Sequence, residues 1–339
     1  MKTYHKILFV LLLLLPSALI YAQDKKEVKT LIEEGIALND SGKYDAAIAK
    51  YKGALKLDSG SLRAQYELSY TLSTAGRPQE AIPYLLKVAP SNDYAEAYDL
   101  LANIYDDAKD FEKAIAFYKQ GLIAFPKDQR LHFNLGISYL RQKKYPEAEQ
   151  EGIAAIKLDP KHASSQRLYA LATYNQNKRD CALLAWCNFI LIEPQTKRSV
   201  EGYNYIHKIL NYGLERKSEK EVTVHISDKE LGSSSMMISM ATLTATDNKK
   251  NLSPADSLAL QLTSVFQLVG ELSEKKKVEF YSNYYADYFK KMADSGNVPA
   301  FARMVYLSVN KEESLKWFKE NDKQLTELDK WIAATEKKF

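Results

Sequence analysis

"DFEKAIAFYKQGLIAFPKD", residues 110–128, reads as one amphipathic helix that runs into a proline stop. The same grammar appears at residues 43–60 as "KYDAAIAKYKGALKLDSG". Aligning the small residue of each such stretch picks out Ala47, Ala81, Ala114, Ala148 and Ala182, at spacings of 34, 33, 34 and 34. A register held over five cycles of this length is the signature of stacked helix pairs.

Each cycle repeats the same physical parts. A first helix places apolar or aromatic residues at three- and four-residue steps: Leu68 and Leu72, then Tyr98, Leu101 and Tyr105, then Leu135 and Tyr139, then Tyr169 and Thr173. A small member (Gly35, Ser69, Ala102, Gly136, Ala170) lets the neighbouring helix approach closely. Polar turns follow, with Gly42 and Gly76 available for a left-handed cap. The second helix carries the aligned alanine, then Tyr51, Leu85, Tyr118, Gly152 or Trp186 four residues on. Pro126, Pro160 and Pro194 stop three of these helices at one common offset.

In periodicity, small-residue placement and terminal proline, the stretch from Val28 to Pro194 resembles the tetratricopeptide-repeat family. It departs from the pattern in three places. Pro90 comes early in the second unit, Gly152 stands where a large residue is usual, and no first helix has the family's tryptophan. The resemblance implies an all-α fold, a right-handed superhelical solenoid of about five helix pairs followed by a C-terminal helical bundle. The repeats are expected near 28–61, 62–94, 95–128, 129–162 and 163–196, within an array over 23–194. Each unit leaves its apolar stripe for a neighbour to cover.

Residues 1–22 have Lys2, His5 and Lys6 ahead of the apolar run Ile7–Leu15, then Pro16 and small residues up to Ala22, the layout of a secretory signal peptide. The apolar span, 14 residues from Ile7 to Ile20 with a proline inside, is short of the roughly 20 that cross a bilayer. Cleavage after Ala22 is expected, with no stable membrane insertion afterwards. The protein is then exported, periplasmic or outer-membrane-associated in a Gram-negative bacterium. Losing two lysines lowers the formal charge from +4 to about +2, with no electrostatic footprint for nucleic acid. Cys181 and Cys187 lie six apart in one helix and point to different faces, so they read as packing residues rather than as a bridge.

Beyond Pro194, residues 197–249 read as a degenerate helix and linker. "KRSVEGYNYIHKILNYGLERK" is helical with Val200, Tyr203, Tyr205, Ile209, Leu210 and Leu214 on an apolar side, a degraded sixth first helix. "EVTVHI" alternates as a strand but shows no partner, and the stretch from Lys217 to Ser233 reads as a linker. "SSSMMISMATLTAT" fits a helix through Met236, Met237, Met240 and Leu243. Residues 250–339 are expected to form a bundle packed on the end of the array, opened by Ser253 as cap and Pro254 at the first helical position. The cluster Tyr281, Tyr284, Tyr285 and Tyr288 follows one helix face, so packing is favoured over a ligand cage.

No constellation of catalytic or metal-ligating residues stands out, and no cofactor or metal is expected. The five histidines are scattered, and no phosphate-cradling loop or nucleophile motif is found. Binding is therefore the expected activity. In arrays of this family the first helices line a concave surface, which implies a partner-binding groove of Arg63, Tyr66, Tyr70 and Thr74, then Glu96, Asp99, Asn103 and Asp106. Arg130, Phe133, Ile137 and Arg141, then Arg167, Leu171 and Tyr174, continue it. Tyr, Phe and Arg suit protein recognition. Ile32 and Ile36 stand where family members that clamp chaperone tails carry lysine and asparagine, which argues against that partner. The expected function is a non-catalytic scaffold or assembly factor of the cell envelope that binds a protein or peptide. The alternatives are carbohydrate or small-molecule binding through the aromatic C-terminal region, or service as an accessory subunit of an envelope enzyme.

Overall fold

The computed structural model describes residues 23–216, 222–225, 233–247, 249–276 and 279–339. The proposed signal peptide and most of the 217–233 stretch lie outside the described residues. The described chain is all-α apart from one short hairpin, and it packs as two compact units, one up to Ser138 and one from Tyr139.

The first unit holds α1 (23–40), α2 (Tyr44–Leu57), α3 (Leu62–Thr74), α4 (Pro78–Val88), α5 (Ala95–Asp107), α6 (Phe111–Ala124) and most of α7 (Gln129–Arg141). Ala47, Ala81 and Ala114 have no exposed surface, as the aligned small residue requires. Close approach is literal at Gly35, where an added Cβ would sit 2.5 Å from the buried Tyr51 ring. A short 3-10 turn, Ala89–Ser91, contains Pro90 and ends α4 in place of the later proline stop of other repeats.

Side chains also tie neighbouring repeats together. Thr71 Oγ1 donates to Asn39 Oδ1 at 3.0 Å, Asn134 Nδ2 to Asp99 Oδ1 at 2.7 Å, and Ser138 Oγ to Asp106 Oδ1 at 2.7 Å. At two repeat junctions, Gln65 Nε2 reaches back to Ser59 O at 2.8 Å and the His132 ring to Pro126 O at 3.2 Å, pinning the loop before the first helix.

The second unit continues with α8 (Tyr145–Leu158), α9 (Ala163–Asn175), α10 (Arg179–Ile192) and α11 (Lys197–Leu210). Pro126, Pro160 and Pro194 each stand two residues past their helix, where the missing N–H costs nothing. Gly152 has a reason: Tyr169 takes the place that leucine holds in other repeats, and its backbone lies 3.4 Å from where a Gly152 Cβ would be. A residue without a side chain on α8 lets the α9 backbone come close at this point.

α10 is buried on almost every side, from Arg179 to Ile190. It packs against α9 and α11 and also against helices of the C-terminal region. Those are α12 (Ser234–Thr246), α13 (Pro254–Lys276), a helix with a π turn at Tyr281–Ala286 that continues as α14 (Asp287–Asp294), α15 (Val298–Tyr306), α16 (Lys311–Glu320) and α17 (Asp322–Ala334). The α13 start is as read: Ser253 Oγ accepts from Asp256 N at 3.1 Å, with Leu258, Leu262, Val265, Phe266 and Val269 buried behind it. Phe266, Phe289 and Phe301 meet with ring centres 4.8–6.2 Å apart. Arg303 of α15 is buried and is held by Asp256 and Glu313.

Several expectations are corrected here. The strand in "EVTVHI" does have a partner: β1 (Leu214–Arg216) pairs antiparallel with β2 (Val222–Val224), so Leu214 belongs to a hairpin and not to the α11 face. α11 buries Ser199, Gly202, Ile206, Ile209 and Leu210, and Val200 is exposed. α12 buries Ser235, Ile238, Ser239 and Thr242, with Met240 turned outward. Ser239 Oγ donates to Tyr212 O at 2.7 Å, which explains why the hydroxyl side faces inward. The last helical stretch is broken at Asn321 into α16 and α17.

Left-handed turns recur with the repeat. Gly42, Gly76, Lys109, Lys143 and Asn177 all have φ between 59° and 76°, and the residue after each closes a bond to the carbonyl five positions back. A lysine in this conformation costs about 1–2 kcal/mol, against about 0.5–1 kcal/mol for the extra freedom that glycine loses on folding. Lys109→Gly and Lys143→Gly should each stabilise by about 0.5–1 kcal/mol, read as a higher urea midpoint. Gly76→Ala, where a Cβ meets nothing within 4 Å, should lower it through the backbone alone, by about 1 kcal/mol.

Near its last residues the chain folds over the tyrosine cluster. Phe339 stacks on Tyr284 at 4.9 Å, and Lys337 Nζ donates to Asn188 Oδ1 at 2.5 Å. Burial pushes the Lys337 amine down to about 8, against the pull of the Tyr288 ring 4.1 Å away. The unfolded chain therefore holds the extra proton between about pH 8 and the ordinary lysine value near 10.4, and stability grows with pH across that window. The melting temperature of the native protein minus that of Lys337→Met should rise between pH 8 and pH 10. A flat difference would mean that the amine is not buried when folded.

Candidate partner-binding faces

In the first unit the expected groove residues lie on α3, α5 and α7. Ser61 Oγ caps α3 by accepting from Ala64 N at 3.3 Å, and Arg63, Tyr66, Tyr70 and Thr74 then follow at three- and four-residue steps. Arg63 is exposed and Tyr70 is 45% exposed, a large ring left in water. Tyr66 is half-buried and stacks on Tyr94 at 5.3 Å. Burial pushes its phenol up to about 12, so it remains a hydrogen-bond donor at neutral pH.

On α5 and α7 the picture is one of mutual engagement. Arg130 lies 3.3 Å from Glu96 Oε1, 3.3 Å from Asp99 Oδ2 and 3.4 Å from Asp128 Oδ2. One guanidinium thus faces three carboxylates, and the patch keeps a net negative charge. Asp99 also accepts from Asn134, and burial pushes its carboxyl upward. Asn103 accepts from the Tyr118 hydroxyl at 2.7 Å, which turns its amide toward α6. Asp106 is only 5% exposed and is taken up by Ser138, so it cannot face a ligand. Phe133 and Ile137 are half-buried. Ile32 is buried in the core.

In the second unit Arg141 is exposed, while Arg167 and Tyr174 are covered by α11. Arg167 grips Glu201 in a two-pronged pair at 2.7 and 2.8 Å. Tyr174 meets Tyr205 edge-on at 4.9 Å, and Lys208 Nζ lies 5.3 Å from its ring centre. Glu201 follows Arg167 by 34 residues, one repeat period, so extending the register past Pro194 would have found this cover.

The other candidate centres resolve into packing. Tyr281, Tyr284, Tyr285 and Tyr288 are all buried, and Tyr284 and Tyr285 bond to the buried Gln166 of α9. They form core and not a cage. Cys181 and Cys187 are free thiols whose burial pushes both upward, away from the reactive thiolate. Among the described residues no group of three or more His, Cys, Asp or Glu could hold a metal, and no helix is long and apolar enough to cross a membrane.

Comparison with known proteins bears on the repeat region. Tetratricopeptide-repeat family models match residues 38–106 and 100–163. The general transcriptional corepressor trfA of Dictyostelium discoideum is 28% identical over 130 residues, 38% of this chain and 9% of that protein. Human serine/threonine-protein phosphatase 5 is 30% identical over 116 residues, 34% of this chain and 23% of that protein. The chain thus spans less than a quarter of the length of these curated relatives. Among solved structures, YrrB, described as a tetratricopeptide-repeat protein with an unusual peptide-binding site, matches at 18% identity and a TM-score of 0.46, over 55% of this chain and 97% of that one. Residues 38–163 are thus a tetratricopeptide-repeat array.

Proposed function

We propose that this protein is a non-catalytic interaction scaffold or assembly factor of the cell envelope, and that the α3–α5–α7 face of its first unit takes a protein or peptide segment. The observation that carries this reading is the juxtaposition of two surfaces. Arg63 and the exposed Tyr70 ring stand on α3 beside the stacked Tyr66. The adjoining Glu96, Asp99 and Asp128 outnumber Arg130, the cation they surround. Aromatic rings supply contact area at low entropic cost, while a net acidic flank selects basic side chains and repels a terminal carboxylate. The partner segment is therefore a basic one with apolar or aromatic anchors. The basic start and short apolar run of residues 1–22 support export, and the mature chain is expected to begin at Gln23.

The reading is tested by cross-linking the mature protein in its native envelope and identifying captured proteins, beside Tyr70→Ala. Truncating a central exposed anchor should weaken capture by about tenfold, the equivalent of 1–2 kcal/mol. The folded state should be unchanged, because the ring packs against water. Recovery should also fall as salt rises from about 0.05 to 0.5 M. Equal capture by the variant would remove the α3 face from consideration, and a protein found in the cytosolic fraction with Met1 retained would remove the envelope.

A further inference from the structure

The second unit carries a cavity of about 340 Å3 between α11 and the first two turns of α13, lined on one side by Tyr203, His207 and Asn211 and on the other by Ser257 and Gln261. That volume lies at the lower end of small-ligand pockets, about 300–1,000 Å3. Its chemistry is set by groups that the protein itself leaves unused. Gln261 is only 8% exposed, yet its amide has no hydrogen-bond partner among the described residues. Its two amide atoms are not sealed in the interior but reach the cavity, where they are available to whatever fills it. The Ser257 and Tyr203 hydroxyls make no hydrogen bond among the described residues either. Asn211 donates its Nδ2 to His207 O at 2.9 Å, which leaves Oδ1 as an acceptor.

We propose that this cavity binds a neutral, hydroxyl-rich ligand, a saccharide of one or two rings. The lining contains fixed acceptors (Gln261 Oε1, Asn211 Oδ1) as well as donors (Gln261 Nε2 and the two hydroxyls). An anion such as phosphate is chiefly an acceptor, with only one or two P–OH donors at neutral pH, and matches the mixed lining poorly despite Lys249. A cation would find no carboxylate among the described residues that line the cavity. An apolar guest would cover the Gln261 amide and leave it without a partner. Hydroxyl groups both donate and accept, and so satisfy every group at once. Tyr203, which pairs with the His207 ring at 6.0 Å, adds a flat surface for the C–H face of a sugar ring. The proposal is independent of the α3 face, and it places ligand binding away from the buried tyrosine cluster.

The test follows the His207 ring protons of the mature protein by NMR while maltose, lactose or N-acetylglucosamine is titrated, with sodium phosphate as the comparison. At least one saccharide should give a saturable shift, and phosphate none. Gln261→Met keeps the side chain's length and removes both polar atoms. It should fold with an undiminished melting temperature, since no internal hydrogen bond is lost, and should bind the responsive saccharide about tenfold more weakly. Ser257→Ala, on the same helix, should weaken binding in the same direction. The proposal is overturned if none of the three saccharides shifts His207, if phosphate does so in their place, if Gln261→Met binds as well as the native protein, or if it melts lower because the amide was structural after all.

Discussion

The constraint on which the structure rests is the distance between helices at five buried alanines. Ala47, Ala81, Ala114, Ala148 and Ala182 have no accessible surface, and any larger side chain would push its helix off the neighbour that covers it. Everything at a greater radius is adjusted to that contact. Gly35 makes room for the Tyr51 ring, and Gly152 for the backbone at Tyr169. The left-handed turn at the end of each repeat's first helix then returns the chain at the same pitch, whether glycine, lysine or asparagine occupies it. Backbone geometry is held constant, and the sequence yields to it even where lysine is a poor fit.

α10 shows what happens when a repeat helix is asked to do more. Its aligned alanine and aromatic keep the pattern of the other second helices, but it also carries Leu183, Leu184, Cys187 and Ile190 with no exposed surface. A second helix of an array ordinarily keeps one polar face; a helix apolar all round has to be enclosed. The π turn, α12 and α15 supply the enclosure. Gln166 of α9 bonds both Tyr284 and Tyr285, so the last repeats and the C-terminal helices share one polar lock inside one apolar core.

How far this was legible in the sequence depends on the range of the interaction. The repeat register, the proline stops and the Ser253 cap are local or periodic and could be read directly. The burial of the tyrosine cluster followed from helical spacing alone. What escaped reading was decided across the fold. The β2 partner is a three-residue strand, too short to show alternation. The inward side of α12 was mistaken because its hydroxyls answer a carbonyl at Tyr212 and its methionines do not. Of the anticipated groove residues, Arg167, Tyr174, Asn103 and Arg130 had the right chemistry for recognition, yet each is already engaged by a neighbouring helix or turn. A residue type can be read from a sequence, but whether its bonding capacity is spent cannot. The same distinction makes Gln261 informative, because its capacity is not spent.

The Gln166 lock also sets an order of events during synthesis. The ties between repeats of the first unit close loops of 32–35 residues. Gln166, by contrast, waits for a tyrosine 119 positions further along. At about 5–20 residues per second, that wait is roughly 6–24 s, during most of which α10 has also been made and lacks part of its cover. Until the π turn and α15 emerge, α10 is covered only by α9, α11 and α12, so part of its apolar surface stays open in the nascent chain.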